Sequence, residues 1–152
     1  MAIASIKARN SCNDFMTKTW LEFHDSDLLP LRRDGAALLI ELRGYVHRWE
    51  LASDQWKGTG WMQPILIRIV TDDDLKLESP MNIADGRLKI GDTTHKNLVP
   101  IPLEAMARVE LWLHLWSGEE VKELTIAGSS VTVTGAGEMT YVEDLPADMR
   151  PF

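Results

Sequence analysis

The chain has 152 residues, of which 45% are hydrophobic and 26% charged, so a single domain with a packed core is expected and global disorder is excluded. Its formal net charge of −7, from 16 basic and 23 acidic residues, argues against a nucleic-acid binder, which needs a basic surface to displace counterions. The single cysteine, Cys12, excludes an intrachain disulfide, and no apolar run approaches the roughly 20 residues of a membrane-spanning helix.

The first ten residues lack the continuous apolar segment of a secretory signal, so we expect a cytoplasmic protein. Residues 1–16 show no sustained periodicity and predict a flexible arm, with at most one short helical turn near Asp14–Lys18. Strand patterns follow, and a tight turn at Asp34-Gly35 leads into a long strand over Ala37–Trp49. The face of this strand opposite its aliphatic residues carries polar and aromatic side chains, among them Tyr45, His47 and Trp49.

The middle of the chain predicts a long loop, another strand and a second hairpin. Glu50–Gly60 is polar and contains two glycines, which predicts the longest loop of the chain with Trp56 in its middle. Trp61–Thr71 alternates isoleucines and predicts a strand buried on both faces, with Pro64 confining its start to an edge or bulge position. Asp85-Gly86 predicts the second tight hairpin.

Ala107–Trp116 is the stretch around which we expect the fold to be organised. Because side chains alternate across a strand, it predicts a long strand, central in a sheet, with its aliphatic positions in the core. Those positions are Val109, Leu111, Leu113 and Leu115, and the opposite face carries Trp112, His114 and Trp116. The segments from Val121 to Val142 predict a continuing antiparallel meander, and residues 145–152 a loosely attached tail.

Turn signals recur about every 8 to 12 residues between these alternating segments, which is typical of all-β proteins. Several strands are apolar on both faces, which favours two packed sheets over a simple barrel. We therefore predict one all-β domain over residues 17–144, an antiparallel β-sandwich of about nine or ten strands with little helix.

His24, Asp25 and Ser26 have the residue types of a catalytic triad, but neighbours on an extended chain point in opposite directions and cannot align. The ordinary interpretation is that Asp25 or Ser26 caps a turn. With the following L-L-P-L, a hairpin and L-L-I-E-L, the triplet resembles the opening of small bacterial β-rich proteins, including immunity proteins of contact-dependent or polymorphic toxin systems. The resemblance covers about residues 23–48, implies a non-enzymatic protein that binds a partner, and transfers no functional residue.

Two patterns raise the question of a metal. His47 and His114 lie on the non-aliphatic faces of two predicted strands, and they could share an ion with a carboxylate if those strands were neighbours. The sequence has no His-x-His or His-Glu-x-x-His motif, which favours ordinary packing of both imidazoles. Asp72-Asp73-Asp74 offers the oxygen ligands that calcium prefers, but such a run is more often a solvated turn. We therefore expect no metal and no cofactor.

The six tryptophans are the least ordinary feature of the composition. Trp112, His114 and Trp116 follow one another about 6.8 Å apart on one strand face, where they can form a tryptophan shelf. Indoles anchor protein interfaces and stack on sugars, although this face could equally pack beneath another part of the protein. The candidate binding residues are Trp112, His114, Trp116, Trp56, Tyr45, His47 and Trp49.

These patterns predict a non-catalytic module that binds another protein, in an immunity or inhibitor role, and neither nucleic acid nor a membrane. One alternative is a β-sandwich that binds carbohydrate or a small ligand on the tryptophan shelf. A metal-dependent enzyme built on His47 and His114 ranks last. The identity of the partner, the oligomeric state and the strand order are not specified by the sequence.

Overall fold

The computed structural model describes residues 16–152, which form an almost entirely β structure of antiparallel strands. The predicted all-β class is confirmed, although this part of the chain has twelve strands instead of about nine or ten. They are β1 (Thr17–Leu28), β2 (Arg32–Asp34), β3 (Ala37–Ala52), β4 (Gln55–Val70), β5 (Met81–Ile90), β6 (Thr93–Lys96), β7 (Leu98–Ile101), β8 (Leu103–Ala105), β9 (Val109–Ser117), β10 (Glu120–Gly128), β11 (Ser130–Gly135) and β12 (Thr140–Leu145).

Both ends of the chain are predicted to pack loosely, residues 1–16 as a flexible arm and residues 145–152 as a tail. The predicted arm over residues 1–16 lies outside the described residues, except for Met16. The C-terminal segment is described, and it forms a 3-10 turn over Ala147–Met149 before Phe152 stacks on Trp20. The predicted loose tail is therefore attached to the domain through the Phe152 ring, while residues 146–152 are all exposed. No helix within residues 16–152 is long and apolar enough to cross a membrane.

All twelve strands belong to one hydrogen-bonded sheet with the main order β10-β9-β5-β1-β3-β4-β11-β8. Four strands lie off this path, with β2 on β3, β6 on β5, β7 on β1 and β12 on β4. β9 is thus next to the edge, and its predicted central place is wrong. The predicted meander is wrong after β10, because β11 pairs with β4 and β8 at the other end of the sheet. Side-chain alternation defines the faces of a strand but not its neighbours.

The sheet folds over so that its two ends meet at a junction just after β4. The amide of Ser129 donates to the carbonyl of Val70 at 2.9 Å, and the amide of Ala127 donates to the Asp73 carboxylate at 3.0 Å. The Thr71 hydroxyl closes the same junction by donating to the Ala127 carbonyl. The β9–β10 end therefore faces the β4–β11 end across one core, which is the layered arrangement expected of a sandwich.

The aliphatic faces of the strands build this core. The four predicted positions of β9 expose no more than 1% of their surface: Val109, Leu111, Leu113 and Leu115. From the opposite layer, β4 contributes Ile65, Ile67 and Ile69. Full burial of one such side chain stabilises the fold by about 1.5–3 kcal/mol, so the alternation that predicts the strands also accounts for how they are held together.

The predicted loop over Glu50–Gly60 is wrong, because this segment is a β-hairpin. β3 runs to Ala52, β4 begins at Gln55, and only Ser53 and Asp54 lie between them. Both turn residues have positive φ, 51° and 63°, which matches the twist of the two strands in a two-residue turn. Ser-Asp is a much weaker sequence signal for such a turn than Asn-Gly, so the polar composition of the segment was misleading.

The predicted hairpin at Asp85-Gly86 is also wrong. β5 runs through both residues with a bulge, and the chain reverses instead at residues 91–92. Gly86 serves close packing, because a Cβ there would lie 2.6 Å from the ring of the buried Phe23. The Asp85 carboxylate accepts the amide of Gly86 at 2.8 Å and so holds the bulge.

Pro64 lies inside β4 and not at its start. β12 pairs with β4 up to Met62, β11 pairs with it from Ile65 onwards, and the Pro64 carbonyl accepts the amide of Ala136 between them at 2.8 Å. The proline therefore falls where β4 changes partner, so its missing N–H interrupts neither ladder.

Leu111→Ala should lower the free energy of unfolding by roughly 2–5 kcal/mol, because it leaves a cavity at a fully buried position of the core. Glu110→Ala, on the exposed face of the same strand, is the matched control and should change that free energy by less than about 0.5 kcal/mol. Urea denaturation followed by circular dichroism measures both. A small loss in Leu111→Ala would contradict the placement of β9 in the core.

Asp73→Ala should lower the free energy of unfolding by about 1–2 kcal/mol, because it removes the charge-assisted hydrogen bond that joins the two ends of the sheet. Asp72 is exposed and makes no side-chain hydrogen bond within residues 16–152. Asp72→Ala should therefore change the free energy of unfolding by less than about 0.5 kcal/mol. Thermal unfolding of both variants checks the difference. If millimolar calcium stabilised the wild type but not Asp73→Ala, the aspartate run would be a cation site instead.

Candidate functional site

The residues predicted for binding lie mainly in two groups on the outer face of the sheet, away from the main core. The first group, the β9 face, adds two cross-strand neighbours to the tryptophan shelf and comprises Arg87, Trp112, His114, Trp116 and Val121. The second group, the β3 cluster, comprises Tyr45, His47 and Trp49. Since β5 and β1 lie between β9 and β3, the two groups are separate sites.

In the middle of the β9 face an arginine lies over an indole. Arg87 on β5 is directly opposite Trp112, and its guanidinium carbon is 4.2 Å from the centre of the indole ring. The His114 ring meets the same indole nearly at a right angle, with 6.2 Å between centroids. Cation–π contact and edge-to-face packing hold these side chains in place, so Trp112 is half-buried although it lies outside the core.

The end of the β9 face near the β9–β10 turn is apolar and open. Trp116 is 44% exposed, and Val121 directly opposite it on β10 is 62% exposed. The side-chain amide of Asn82 on β5 donates to the backbone carbonyl of Trp116 at 3.3 Å, which links this end of β9 to β5. These two adjacent exposed side chains form a small apolar patch on paired strands.

The hairpin that carries this patch is acidic and lies at an edge of the sheet. Residues 109–128 contain four glutamates and one lysine. Glu123 on β10 and Asp85 on β5 are opposite His114 on its two sides. Among the described strands, β10 pairs with β9 alone, so its outer edge lacks a strand partner, although Ala127 there bonds to Thr71 and Asp73. The site therefore combines an aromatic patch, negative charge and an open strand edge.

The β3 cluster has similar residue types but is closed to solvent. Tyr45 exposes 7% of its surface, His47 1% and Trp49 none. Gly58 on β4 lies under Trp49, where a Cβ would come within 2.6 Å of the indole. Three of the predicted binding residues are therefore buried, because β12 and the glycines of β4 let the aromatic side chains pack flat against the sheet.

Ionisable groups lie within this buried cluster. The Tyr45 hydroxyl donates to the Glu143 carboxylate on β12 at 2.7 Å. His47 Nε2 lies 3.1 Å from a carboxylate oxygen of Glu22, but the two are not aligned for a hydrogen bond. Burial, then the hydrogen bond and charge of Glu143 and the charges of Glu22 and Asp25, raise the pKa of the Tyr45 hydroxyl well above its usual range. This tyrosine thus stays protonated and neutral at physiological pH.

Trp56, the seventh predicted residue, belongs to neither group. It is half-buried on β4, and its ring meets that of Phe152 edge-on at 4.8 Å. The sequence interpretation missed four residues that contribute to these surfaces: Trp20, Arg87, Val121 and Phe152. Trp20 could have been found from the strand alternation of β1, whereas Arg87 and Val121 follow only from pairing register and Phe152 has no periodic signal at all.

The His24-Asp25-Ser26 triplet forms a bulge in β1. The Ser26 hydroxyl donates to the Glu22 carbonyl at 2.6 Å and accepts the Tyr45 amide at 2.8 Å. His24 is exposed, and its Nδ1 lies 3.0 Å from the Ala84 carbonyl. The serine thus serves the local backbone, as the sequence suggested, although it stabilises a bulge and not a turn.

The two histidines considered for a metal are far apart in the sheet. His47 lies on β3 and His114 on β9, with β5 and β1 between them, so the adjacency that a shared ion requires is not met. Within residues 16–152, no group of three or more His, Cys, Asp and Glu side chains is arranged to hold a metal ion.

Comparisons of the chain with protein-family models, with curated proteins and with solved structures each gave no match. The functional assignment therefore depends on the geometry and electrostatics of the β9 face.

Tyr45→Phe should reduce the loss of stability at alkaline pH. The unfolded chain ionises its tyrosines near about pH 10, whereas Tyr45 in the folded protein keeps its proton to higher pH. Above about pH 10 the unfolded state therefore binds fewer protons than the folded state, and the contribution of the hydroxyl to stability falls as the pH rises. The difference in denaturation midpoint between the wild type and Tyr45→Phe should therefore become smaller as the pH rises from 8 to about 11.

Tyr141, the only other tyrosine, supplies the control, because it is exposed and its pKa is raised chiefly by a hydrogen bond to Asp144. Tyrosinate absorbance should appear at higher pH in Tyr141→Phe, which retains Tyr45, than in Tyr45→Phe. Ionisation of Tyr45 near about pH 10 in the folded protein would contradict its burial beside Glu143.

Proposed function

We propose that this protein is a non-catalytic module that binds another protein through the β9 face. The observation that carries the proposal is the pair of exposed apolar side chains, Trp116 and Val121, beside the arginine-covered Trp112. Tryptophan and arginine are the residues most enriched among interface positions whose loss costs the most binding energy. A partner that covers this patch removes both apolar side chains from water.

The fixed positions of the Trp112 side chain and of the Trp116 backbone support this role. Trp112 is held by Arg87 and His114, and the Trp116 backbone is bonded to Asn82. Side chains already fixed by packing lose little conformational freedom when a partner binds, so more of the contact energy contributes to affinity.

The charge of the hairpin indicates the kind of partner. Four glutamates against one lysine in residues 109–128, on a chain with net charge −7, attract a protein with a basic surface. Such complementarity raises the association rate and makes it depend on salt, while the buried aromatic anchors determine how slowly the complex dissociates.

An immunity or inhibitor role is the particular form of partner binding that we propose. It is supported by the resemblance of residues 23–48 to immunity proteins of bacterial toxin systems and by the acidic surface, which suits a basic toxin domain. In this role the protein acts in the bacterial cytoplasm by covering a functional surface of its partner, and it needs no catalytic residue of its own.

Carbohydrate binding is the second candidate, and it fits the β9 face less well. A sugar stacks on an open indole face, but the Trp112 indole is covered by Arg87 at 4.2 Å. Trp116, which is 44% exposed, is the more accessible of the two indoles on this strand. A single open indole with an adjacent valine suits a protein interface better than a sugar chain.

Trp116→Ala should weaken binding of the partner by about 2 kcal/mol or more, equivalent to roughly 30-fold in Kd, while the melting temperature stays close to that of the wild type. The partner can be captured in the native host by a photoreactive phenylalanine analogue in place of Val121, then purified and titrated by calorimetry. If the partner is a toxin, wild-type protein should block its activity and Trp116→Ala should block it less.

Tyr141 provides the matched control, because it is a 51% exposed aromatic residue on β12, at a different part of the sheet. Tyr141→Ala should bind the partner like the wild type, and the photoreactive analogue at position 141 should not capture it. Capture from position 141 but not from position 121, or unchanged affinity in Trp116→Ala, would show that the β9 face is not the interface.

A further inference from the structure

A second aromatic contact lies away from the β9 face, where Phe152 fills a slot between β1 and β4. Its ring stacks on Trp20 with 5.2 Å between centroids and 13° between planes. Trp56 meets the Phe152 ring edge-on, at 4.8 Å and 84°. The ammonium of Lys18 lies 4.7 Å from the centre of the same ring. We call the site formed by Lys18, Trp20 and Trp56 the aromatic slot.

The segment that brings Phe152 to the slot lies on the surface. The residues of the 3-10 turn, Ala147–Met149, are all exposed, and Phe152 itself is 42% exposed. Leu145 pairs with Gly58 on β4, whereas Trp20 belongs to β1 on the other side of β3. Residues 146–152 therefore cross the outer face of β4 and β3, and the ring of Phe152 is their main anchor.

The face that this segment crosses also holds polar groups without partners. Trp49 Nε1 and His47 Nδ1 have no hydrogen-bond partner within residues 16–152, although both side chains are at least 99% buried. Both lie beside the slot, because Lys18 pairs with Trp49 and Trp20 pairs with His47 across β1 and β3. The Trp49 indole N–H is a donor, and burying it without a partner is unfavourable by about 1–3 kcal/mol.

We propose that the aromatic slot is a binding site for an aromatic side chain on an extended peptide, and that Phe152 is its internal occupant. The slot is built on strands, whose pairing sets the positions of Trp20 and Trp56 around the Phe152 ring. A tethered side chain competes at an effective concentration on the order of millimolar, so an external peptide binds weakly while Phe152 is in place. The site shares no residue with the β9 face and does not depend on the function proposed for it.

The chemistry of the slot selects an aromatic ring over an aliphatic side chain. Trp20 supplies a flat indole for stacking, and Trp56 supplies an edge. Lys18 belongs to β1 and stays in place when the tail leaves, so its charge favours a ring with an electron-rich face. Leucine, which has no such face, loses all three of these interactions.

Phe152→Ala in the whole chain tests the proposal. The probe is the blocked peptide acetyl-Pro-Ala-Asp-Met-Arg-Pro-Phe-amide, which has the sequence of residues 146–152. Phe152→Ala should bind it at least tenfold more tightly than the wild type, measured by tryptophan fluorescence and calorimetry, because the internal competitor is gone. The same peptide with leucine in place of its phenylalanine should bind Phe152→Ala at least tenfold more weakly.

Two further variants serve as controls. Met149→Ala removes a 41% exposed side chain from the same segment and should bind the probe like the wild type. Phe152→Ala combined with Trp20→Ala should lose the gained affinity, because the stacking partner is absent. If Phe152→Ala does not fold, Phe152→Leu keeps an apolar side chain, and it should also bind the probe more tightly than the wild type does. The proposal would be overturned if Phe152→Ala bound the phenylalanine and leucine peptides equally well. It would also be overturned if Phe152→Ala bound the probe no more tightly than the wild type.

Discussion

The alternating aliphatic residues impose the constraint on which the rest of the structure depends, because a sheet with one apolar face must cover that face with another layer in water. One junction between the layers lies just after β4, where Thr71 and Asp73 bond to Ala127 and where Ser129 bonds to Val70. The junction brings the β9–β10 end against the β4–β11 end and so encloses a single core. On the outer face, the buried β3 cluster also holds strands together, whereas Trp116 and Val121 of the β9 face stay exposed.

The β3 cluster is buried and the β9 face is exposed because different elements flank them. The β3 cluster is flanked by β12, whose Glu143 bonds to Tyr45, and by residues 146–152, which cross β4 and β3. The β9 face is flanked by β5 and by the edge strand β10, which leaves Trp116 and Val121 exposed. Similar residue types thus produce a closed cluster in one place and an open patch in another.

Both proposed sites are held rigid by contacts between neighbouring strands. Arg87 fixes Trp112 across β5 and β9, and the pairing of β1, β3 and β4 fixes Trp20 and Trp56 relative to one another. Side chains placed on strands in this way keep their geometry before a ligand arrives, which lowers the entropic cost of binding. The sites differ in charge, since the β9 hairpin is acidic and the aromatic slot carries Lys18, so they suit different ligands.

Local sequence patterns predict the all-β class, the hairpin after Asp34, the burial of the aliphatic residues of β9 and the common face of Trp112, His114 and Trp116. These features follow from side-chain alternation and local turn chemistry, which are properties of a short stretch of backbone. Strand order, the burial of the β3 cluster and the place of Phe152 were decided only by the tertiary structure. They depend on contacts between remote residues, such as the bond between Tyr45 and Glu143 across 98 positions, and a local pattern carries no information about which distant strand will cover a face.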